Sequence, residues 1–347
     1  KKQYALELRD ATGADLDVSP FGLPEEADWV LHAPYSDKSL MRNHLMYRWA
    51  RAIGRYAPRT HFVELYMETG GDILDAEDYR GVYVFMEKIK RGDSRVKLKK
   101  MTPEGDPTGG YLLKRDWVEG EALTTRIYGD DLLFAYPDPA QVTPDQRAYI
   151  QGYLDDFEQA LSTPGGDYGA FADVDSFVDH MLLMELSRNV DAYVLSTFMH
   201  KQRAGLLTMG PIWDFNGALG NADYFESEEI EGWHYQNPEF PGDNPNGFHW
   251  YDQMLKDPAF QARLTARWRQ HRSGPWSDAS LQADIASTAG LLSEASQRNF
   301  QRWPVLGAYV WPNPPDTEER RDYAAEVQYL SSWVRDRAAW IDSQHDL

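Results

Sequence analysis

The chain contains no cysteine, and that one absence removes disulfides, thiolate zinc sites, iron–sulfur clusters and thiol nucleophiles together. Long apolar runs are missing as well. No stretch of about 18 apolar residues occurs, so no segment is built to cross a bilayer as a helix. Neither G-x-G-x-x-G nor G-x-x-x-x-G-K-[ST] is present, which leaves phosphate binding without its usual glycine cradle. The nine histidines show no H-E-x-x-H or comparable ligand spacing. Positive charge is scarce: 35 Lys and Arg stand against 55 Asp and Glu, a net −20. That balance opposes nucleic-acid or anionic-membrane binding and favours a basic partner. No internal repeat is visible.

What is present is enough apolar material, 42% of 347 residues with 13% aromatic, for one large core or two moderate ones. Lys1-Lys2-Gln3-Tyr4-Ala5-Leu6-Glu7-Leu8 alternates like the middle of a strand. An upstream segment with room for a signal peptide is therefore expected; the compartment is not read directly from these residues, and an extracytoplasmic location, secreted or at a cell or spore surface, is the expectation.

The first hundred residues read as strands around one helix. Apolar positions Leu40, Met41, Leu45, Trp49, Ala52 and Ile53 keep helical spacing over Lys38–Ile53, with Ser36-Asp37 as cap and Gly54 as stop. The β-rich runs His61–Met67 and Gly81–Ile89 flank a loop holding Gly70, Gly71, Asp72, Asp75 and Asp78, a hairpin signature. Between Lys88 and Lys100 seven basic residues accompany one acid, and Pro and Gly follow, so a boundary is expected near residue 100. Beyond it one short strand, Gly110–Lys114, precedes helices at Pro144–Leu161 and Asp175–Asn189, the latter capped by Asp173 or Asp175. Tyr193–His200 and Leu206–Trp213 suit a second hairpin, and Asn221–Gly247 reads as a long loop. Helices are expected at Trp250–His271, Ser280–Arg298 and Thr317–Asp342.

One ordered series carries chemistry: a helix ending at Arg188-Asn189, then Asp191, Ser196, a hairpin, and Asp214-Phe215-Asn216. Phosphoryl transfer needs a carboxylate beside the attacking hydroxyl and another that holds metal against phosphates. Protein kinases place an Asn five residues after the first such Asp and an Asp-Phe-Gly one hairpin later. Here 196 − 191 is also five, with Ser in place of Asn.

Several stretches, in order along the chain, resemble the CotH-type family of atypical kinases, named for a spore coat protein. They are Lys1-Lys2-x-Tyr4, Trp29-Val-Leu-His-Ala-Pro-Tyr-Ser-Asp37, Leu40-Met-Arg-Asn43, Arg80-Gly-Val-Tyr83 through Glu87-Lys88, Gly109-Gly-Tyr-Leu-Leu113, Asn189-Val-Asp191 and Gly210-Pro-Ile-Trp-Asp-Phe-Asn-Gly-Ala-Leu-Gly220. The resemblance implies an α+β, two-lobed, kinase-like fold with a small antiparallel-sheet N-lobe, residues 1–100, and a mostly helical C-lobe, residues 101–347. It implies ATP with Mg²⁺ or Mn²⁺ and transfer to Ser or Thr of a protein, expected to be basic and Ser-rich, by a monomer. Asp191 then matches the catalytic aspartate and Asp214 the metal-binding one, with Ser196 and Asn216 as further metal ligands. Lys2 is the expected phosphate cation, with Lys1 as its neighbour. Glu87 and Lys88 fall at the lobe connection, and Tyr83 or Trp213 would stack on adenine. Lys38–Ile53 has no Glu for the usual Lys–Glu pair, leaving Arg42 and Asn43 as substitutes. The acids Asp223, Glu226, Glu228, Glu229 and Glu231 would recruit the basic substrate.

Two other readings compete. A nucleotide-binding pseudokinase or coat scaffold would keep the fold without turnover. A carbohydrate-active or carbohydrate-binding module would account for 12 Trp and 20 Tyr among many carboxylates.

Overall fold

A computed structural model describes residues 1–71, 73–118, 120–237 and 249–344. The chain is α+β, with two antiparallel sheets and seven α-helices among the described residues. Strands β1 (Tyr4–Glu7), β2 (Asp28–His32), β3 (Thr60–Tyr66) and β4 (Tyr79–Glu87) form the first sheet in the order β1-β2-β4-β3. Successive residues of β4 point to opposite faces, so its alternation divides the core. Val82, Val84 and Met86 face the main core, while Tyr83 and Phe85 join Trp29 and Leu31 in a smaller cluster.

Two helices cover the main-core face. Helix α1 (Arg42–Ala52) buries Leu45, Met46 and Trp49, and α6 (Asp278–Arg302) lies directly on β4. The fit at β4 is close: a Cβ on Gly81, whose φ is +98°, would stand 2.6 Å from Asn299 Oδ1. Asn299 Oδ1 accepts from Val82 N at 3.0 Å, and Trp303 Nε1 donates to Arg80 O at 2.9 Å. A C-terminal helix thus completes the N-terminal sheet.

The second sheet runs β6-β7-β5-β8-β9, built from β5 (Tyr111–Arg115), β6 (Leu123–Thr124), β7 (Asp131–Tyr136), β8 (Thr197–Lys201) and β9 (Leu207–Met209). Strand β5 pairs with β8 in the register Lys114↔Phe198. The expected β8–β9 hairpin forms, with shorter strands than the sequence suggested. Strands β6 and β7 were not expected at all. Behind this sheet lie α2 (Pro144–Ser162) and α3 (Val174–Ser187), the latter buried at every residue from Ser176 to Ser187.

Helices α4 (His249–Met254) and α5 (Pro258–Arg272) replace the single helix expected over Trp250–His271. The Asp257 side chain accepts from Ala259 N and Pro258 sits at the first helical position, so a new helix starts there. Helix α7 (Tyr323–Ser343) closes the fold after a 3₁₀ turn, Pro315–Glu319. Two expected caps differ in detail. Asp37 accepts from Arg42 N at 2.9 Å from outside the helix, and Asp173 turns its carboxylate to Arg55 at 3.3 Å. Residues 238–247 of the expected long loop, with Asp72 and His345, lie outside the described residues.

Candidate functional site

Helix α3 ends where Arg188 adopts φ +44°, and the chain then turns through Asp191, whose carbonyl accepts from Val194 N and Leu195 N. Ser196, at φ +52°, leads into β8. The hairpin returns at Met209, and Asp214 follows at φ +61°, a conformation that Asp tolerates better than most residues. Non-glycine residues in this region of backbone space are also found at Tyr193, Leu219, Phe225 and Glu226. Such strain persists only where the surroundings over-determine it.

Those surroundings begin on α1. Asn43 Oδ1 accepts from Phe215 N at 2.6 Å, and its Nδ2 lies 3.1 Å from His32 Nε2, whose Nδ1 is 2.9 Å from Gln3 Oε1. Arg42 donates from Nε to Ala218 O at 3.0 Å and from Nη2 to Leu219 O at 3.2 Å, while its buried guanidinium pairs with Asp37 at 2.6 Å. Tyr47 Oη accepts from Asp214 N at 3.2 Å. From the other side Asn189 Nδ2 donates to Asp214 O at 3.1 Å, tying the Asp191 turn to the Asp214 turn.

The two turns open on one cleft of about 940 Å³, near the upper end of the range for small-molecule sites. Asp191, Ser196, Trp213, Asp214, Asn216 and Lys88 all line it. Both carboxyls are half-buried. Burial, then the charge of Asp214, then that of Asp116 push the Asp191 carboxyl up to about 7. Burial also pushes Asp214 up to about 6, against a hydrogen bond from Asn216 N and with a further push from Asp116. Two carboxylates that resist ionising together make a cleft that favours a cation.

Five sequence-based candidates fall differently. Lys88 lines the cleft yet pairs with Asp28 at 3.6 Å. Lys2 is exposed and absent from the cleft wall, and Lys1 Nζ donates to Val82 O and to Asn299 Oδ1 instead. Tyr83 is buried under the first sheet, its hydroxyl donating to Lys2 O at 2.9 Å. Glu87 is buried against Arg59 and Arg95. The acids of 223–231 sit on a loop held by buried arginines: Arg188 donates to Glu226 O and Glu231 O, and Arg337 to Ile230 O and Gly232 O. Asp223, Glu226, Glu229 and Glu231 face solvent.

Sequence reasoning missed Lys114 and Asp116. They line the cleft from β5, joined by a 2.8 Å ion pair, and reach the Asp191 side only because β5 pairs with β8. It also missed the aromatic rim, where Trp117 and Trp311 are 75% and 69% exposed and Tyr224 stacks on Trp311 at 5.9 Å. No local signal marks either group.

A family model described as CotH kinase protein matches residues 1–341. The chain belongs to the CotH family. No curated protein matches it significantly. For a CotH kinase a divalent cation is implied, and the donors present suit one. Among the described residues no three His, Cys, Asp or Glu side chains gather as a metal cage. Mg²⁺, however, is commonly held by one or two carboxylates together with substrate phosphates and water, and Asp191 and Asp214 are of that kind.

Proposed function

We propose that this CotH-family chain binds ATP in the cleft between its two sheets and transfers the γ-phosphoryl group to Ser or Thr of a protein, on an atypical, two-lobed kinase-like fold. The reading is supported chiefly by Asp191 and Asp214, two half-buried carboxyls on one cleft with affinities for protons raised to about 7 and about 6. Asp214, with Asn216 and Ser196 on the same cleft wall, would hold Mg²⁺ or Mn²⁺, which when bound neutralises phosphate charge.

Asp191 accepts the proton of the acceptor hydroxyl as its oxygen bonds to the γ-phosphorus and the bond to the β-phosphate oxygen breaks, releasing ADP. A carboxyl near 7 is half ionised at neutral pH, which suits a group that takes and returns a proton. Lys114 supplies the cation for the phosphates, leaving Asp116 when nucleotide enters. The exposed acids of 223–231 draw a basic, Ser-containing acceptor toward the cleft, and Trp117 and Trp311 flank its path. A secreted or spore-surface setting belongs to the same proposal and rests on family membership.

The test is transfer from labelled ATP with Mg²⁺ or Mn²⁺ to a basic Ser-rich peptide. Turnover that disappears in both Asp191→Asn and Asp214→Asn is the expected result. ATP-dependent thermal stabilisation with no transfer under either metal would replace the kinase with a pseudokinase.

A further inference from the structure

One lip of the cleft leaves a large aromatic surface against water. Trp311 is 69% exposed, and Tyr224 stacks beside it with ring centroids 5.9 Å apart and planes inclined by only 7°. Both residues line the cleft together with Asp191. Burial, and then the charges of Asp191, Asp214 and Asp223, push the Tyr224 phenol up to about 12, so the ring pair stands within electrostatic reach of the two central carboxyls. Apolar surface is unfavourable in water, and an exposed patch rimmed by polar groups marks a contact surface.

An acid is fixed next to these rings. Asp223 N donates to Pro312 O at 2.8 Å, and Tyr309 Oη donates to Asp223 Oδ2 at 2.9 Å, which joins the 309–312 segment to the loop that carries Tyr224. The Asp223 side chain is exposed and pairs with no cation among the described residues. Trp311 is equally without a cation over its face among those residues. Where a tryptophan face does meet a cation in this chain, at Trp29, Trp268, Trp303 and Trp340, the cation is each time an arginine. On the β5 side of the cleft Trp117 is 75% exposed, but the acid beside it, Asp116, is already paired with Lys114 at 2.8 Å. The open indole with an unpaired carboxylate is therefore at Trp311.

We propose that Trp311, Tyr224 and Asp223 form an arginine subsite, which takes the guanidinium of an arginine near the acceptor Ser or Thr of a protein substrate and so selects which hydroxyls reach Asp191. A planar guanidinium stacks on the indole while its N–H groups meet the carboxylate. A lysine ammonium is a compact, more strongly hydrated charge and matches that pair of contacts less well. A sugar ring would also stack on the indole, but it would leave the Asp223 charge unanswered. The acceptor half of this proposal rests on the kinase reading of the cleft, whereas the recognition of arginine stands on the shelf itself.

The experiment is fluorescence anisotropy of labelled, otherwise uncharged peptides titrated with the intact chain. Ala replaces the acceptor Ser, and one neighbouring residue is Arg, Lys or Gln. The Arg peptide should bind about tenfold more tightly than the Gln peptide, the combined size of an exposed cation–π contact and an exposed ion pair, with Lys between them. Trp311→Ala should remove the preference, Asp223→Asn should reduce it severalfold, and Trp117→Ala should leave it in place. Trp311 and Asp223 are both exposed, so their variants should melt with the wild type. Equal binding of the Arg and Gln peptides, binding of neither, or a preference that survives in Trp311→Ala would each overturn the proposal. Displacement of the Arg peptide by cellohexaose would overturn it too, by making the shelf a sugar platform. These peptides carry no acceptor hydroxyl, so the outcome is independent of turnover. An arginine preference in a chain that does not phosphorylate the matching Ser peptide keeps the subsite and removes the kinase, and phosphorylation indifferent to arginine does the reverse.

Discussion

Asp214→Asn should abolish phosphoryl transfer and yet make the metal-free protein more stable at neutral pH. The Asp214 carboxyl titrates at about 6 in the fold, against 3.8 for an ordinary aspartate, because burial penalises its charge. A carboxyl whose folded affinity for protons is raised is protonated more readily in the folded state than in the unfolded one. Its destabilising effect is absent below pH 4, grows between pH 4 and 6, and stays at full size above that. A rise from 3.8 to about 6 corresponds to about 3 kcal/mol as an upper limit, and screening at a half-open cleft reduces this to about 1–2 kcal/mol. Asparagine keeps the oxygen that accepts from Asn216 N and tolerates the φ of +61°, so substitution removes the charge with little else. Loss of that charge also lowers the proton affinity of Asp191, which adds to the gain. Urea melts of wild type and variant in EDTA should coincide at pH 4 and separate by about 1–2 kcal/mol at pH 7, with the variant higher. Saturating Mg²⁺ and ATP should narrow the gap by stabilising only the wild type. A variant that is less stable than wild type at pH 7, or a difference that does not change between pH 4 and 7, would refute the electrostatic account.

Asn43→Ala leaves Phe215 N without its acceptor and should cost about 1–3 kcal/mol in urea melts, with phosphotransfer falling further than the stability loss explains. Lys114→Met should raise the KM for ATP by at least about tenfold, while Lys2→Met leaves it unchanged, as steady-state kinetics with varied nucleotide will show. Arg337→Leu removes the charge partner of the buried Glu185 and leaves Ile230 O without its donor, so denaturant unfolding should register a loss of about 3–5 kcal/mol.

Much of this architecture is legible from residue spacing. The helices at 144–162 and 174–187 follow their apolar period, and the β8–β9 hairpin sits where two β-rich runs flank Lys201–Gly205. Strand β7 was hidden because Leu132-Leu133-Phe134 is a continuous apolar run, in which helix and strand periods look alike. The break at Asp257-Pro258 is legible in the sequence, since a capping acid before a proline marks a helix start, although the apolar period runs on across it. Lys114 and Asp116 could not be found from local pattern, because what brings them to Asp191 is the pairing of β5 with β8 across more than eighty residues. Lys2 stays outside the cleft for a local reason: the strand begins only at Tyr4, so no pairing turns Lys2 inward and it stays in solvent.

The deepest departure from the kinase pattern concerns α1. A helix with no Glu cannot answer a strand lysine, and the structure brings no strand lysine of the first sheet into the cleft apart from the neighbouring Lys88. Its polar side chains instead run the other way. Arg42, fully buried and charge-paired with Asp37, clamps the carbonyls of Ala218 and Leu219, and Asn43 fixes Phe215 N. In this arrangement α1 holds the Asp214 turn by its backbone and leaves the cleft electrostatics to carboxylates and to Lys114. Pulling α1 from the Asp214 turn would leave the buried Arg42 donors, the Ala218 and Leu219 carbonyls and Phe215 N unpaired, a cost of about 1–3 kcal/mol per group that couples the two. On the proposed kinase reading, nucleotide is accommodated on the opposite wall, where Lys114 and Asp116 are partly exposed and their pair is free to exchange partners.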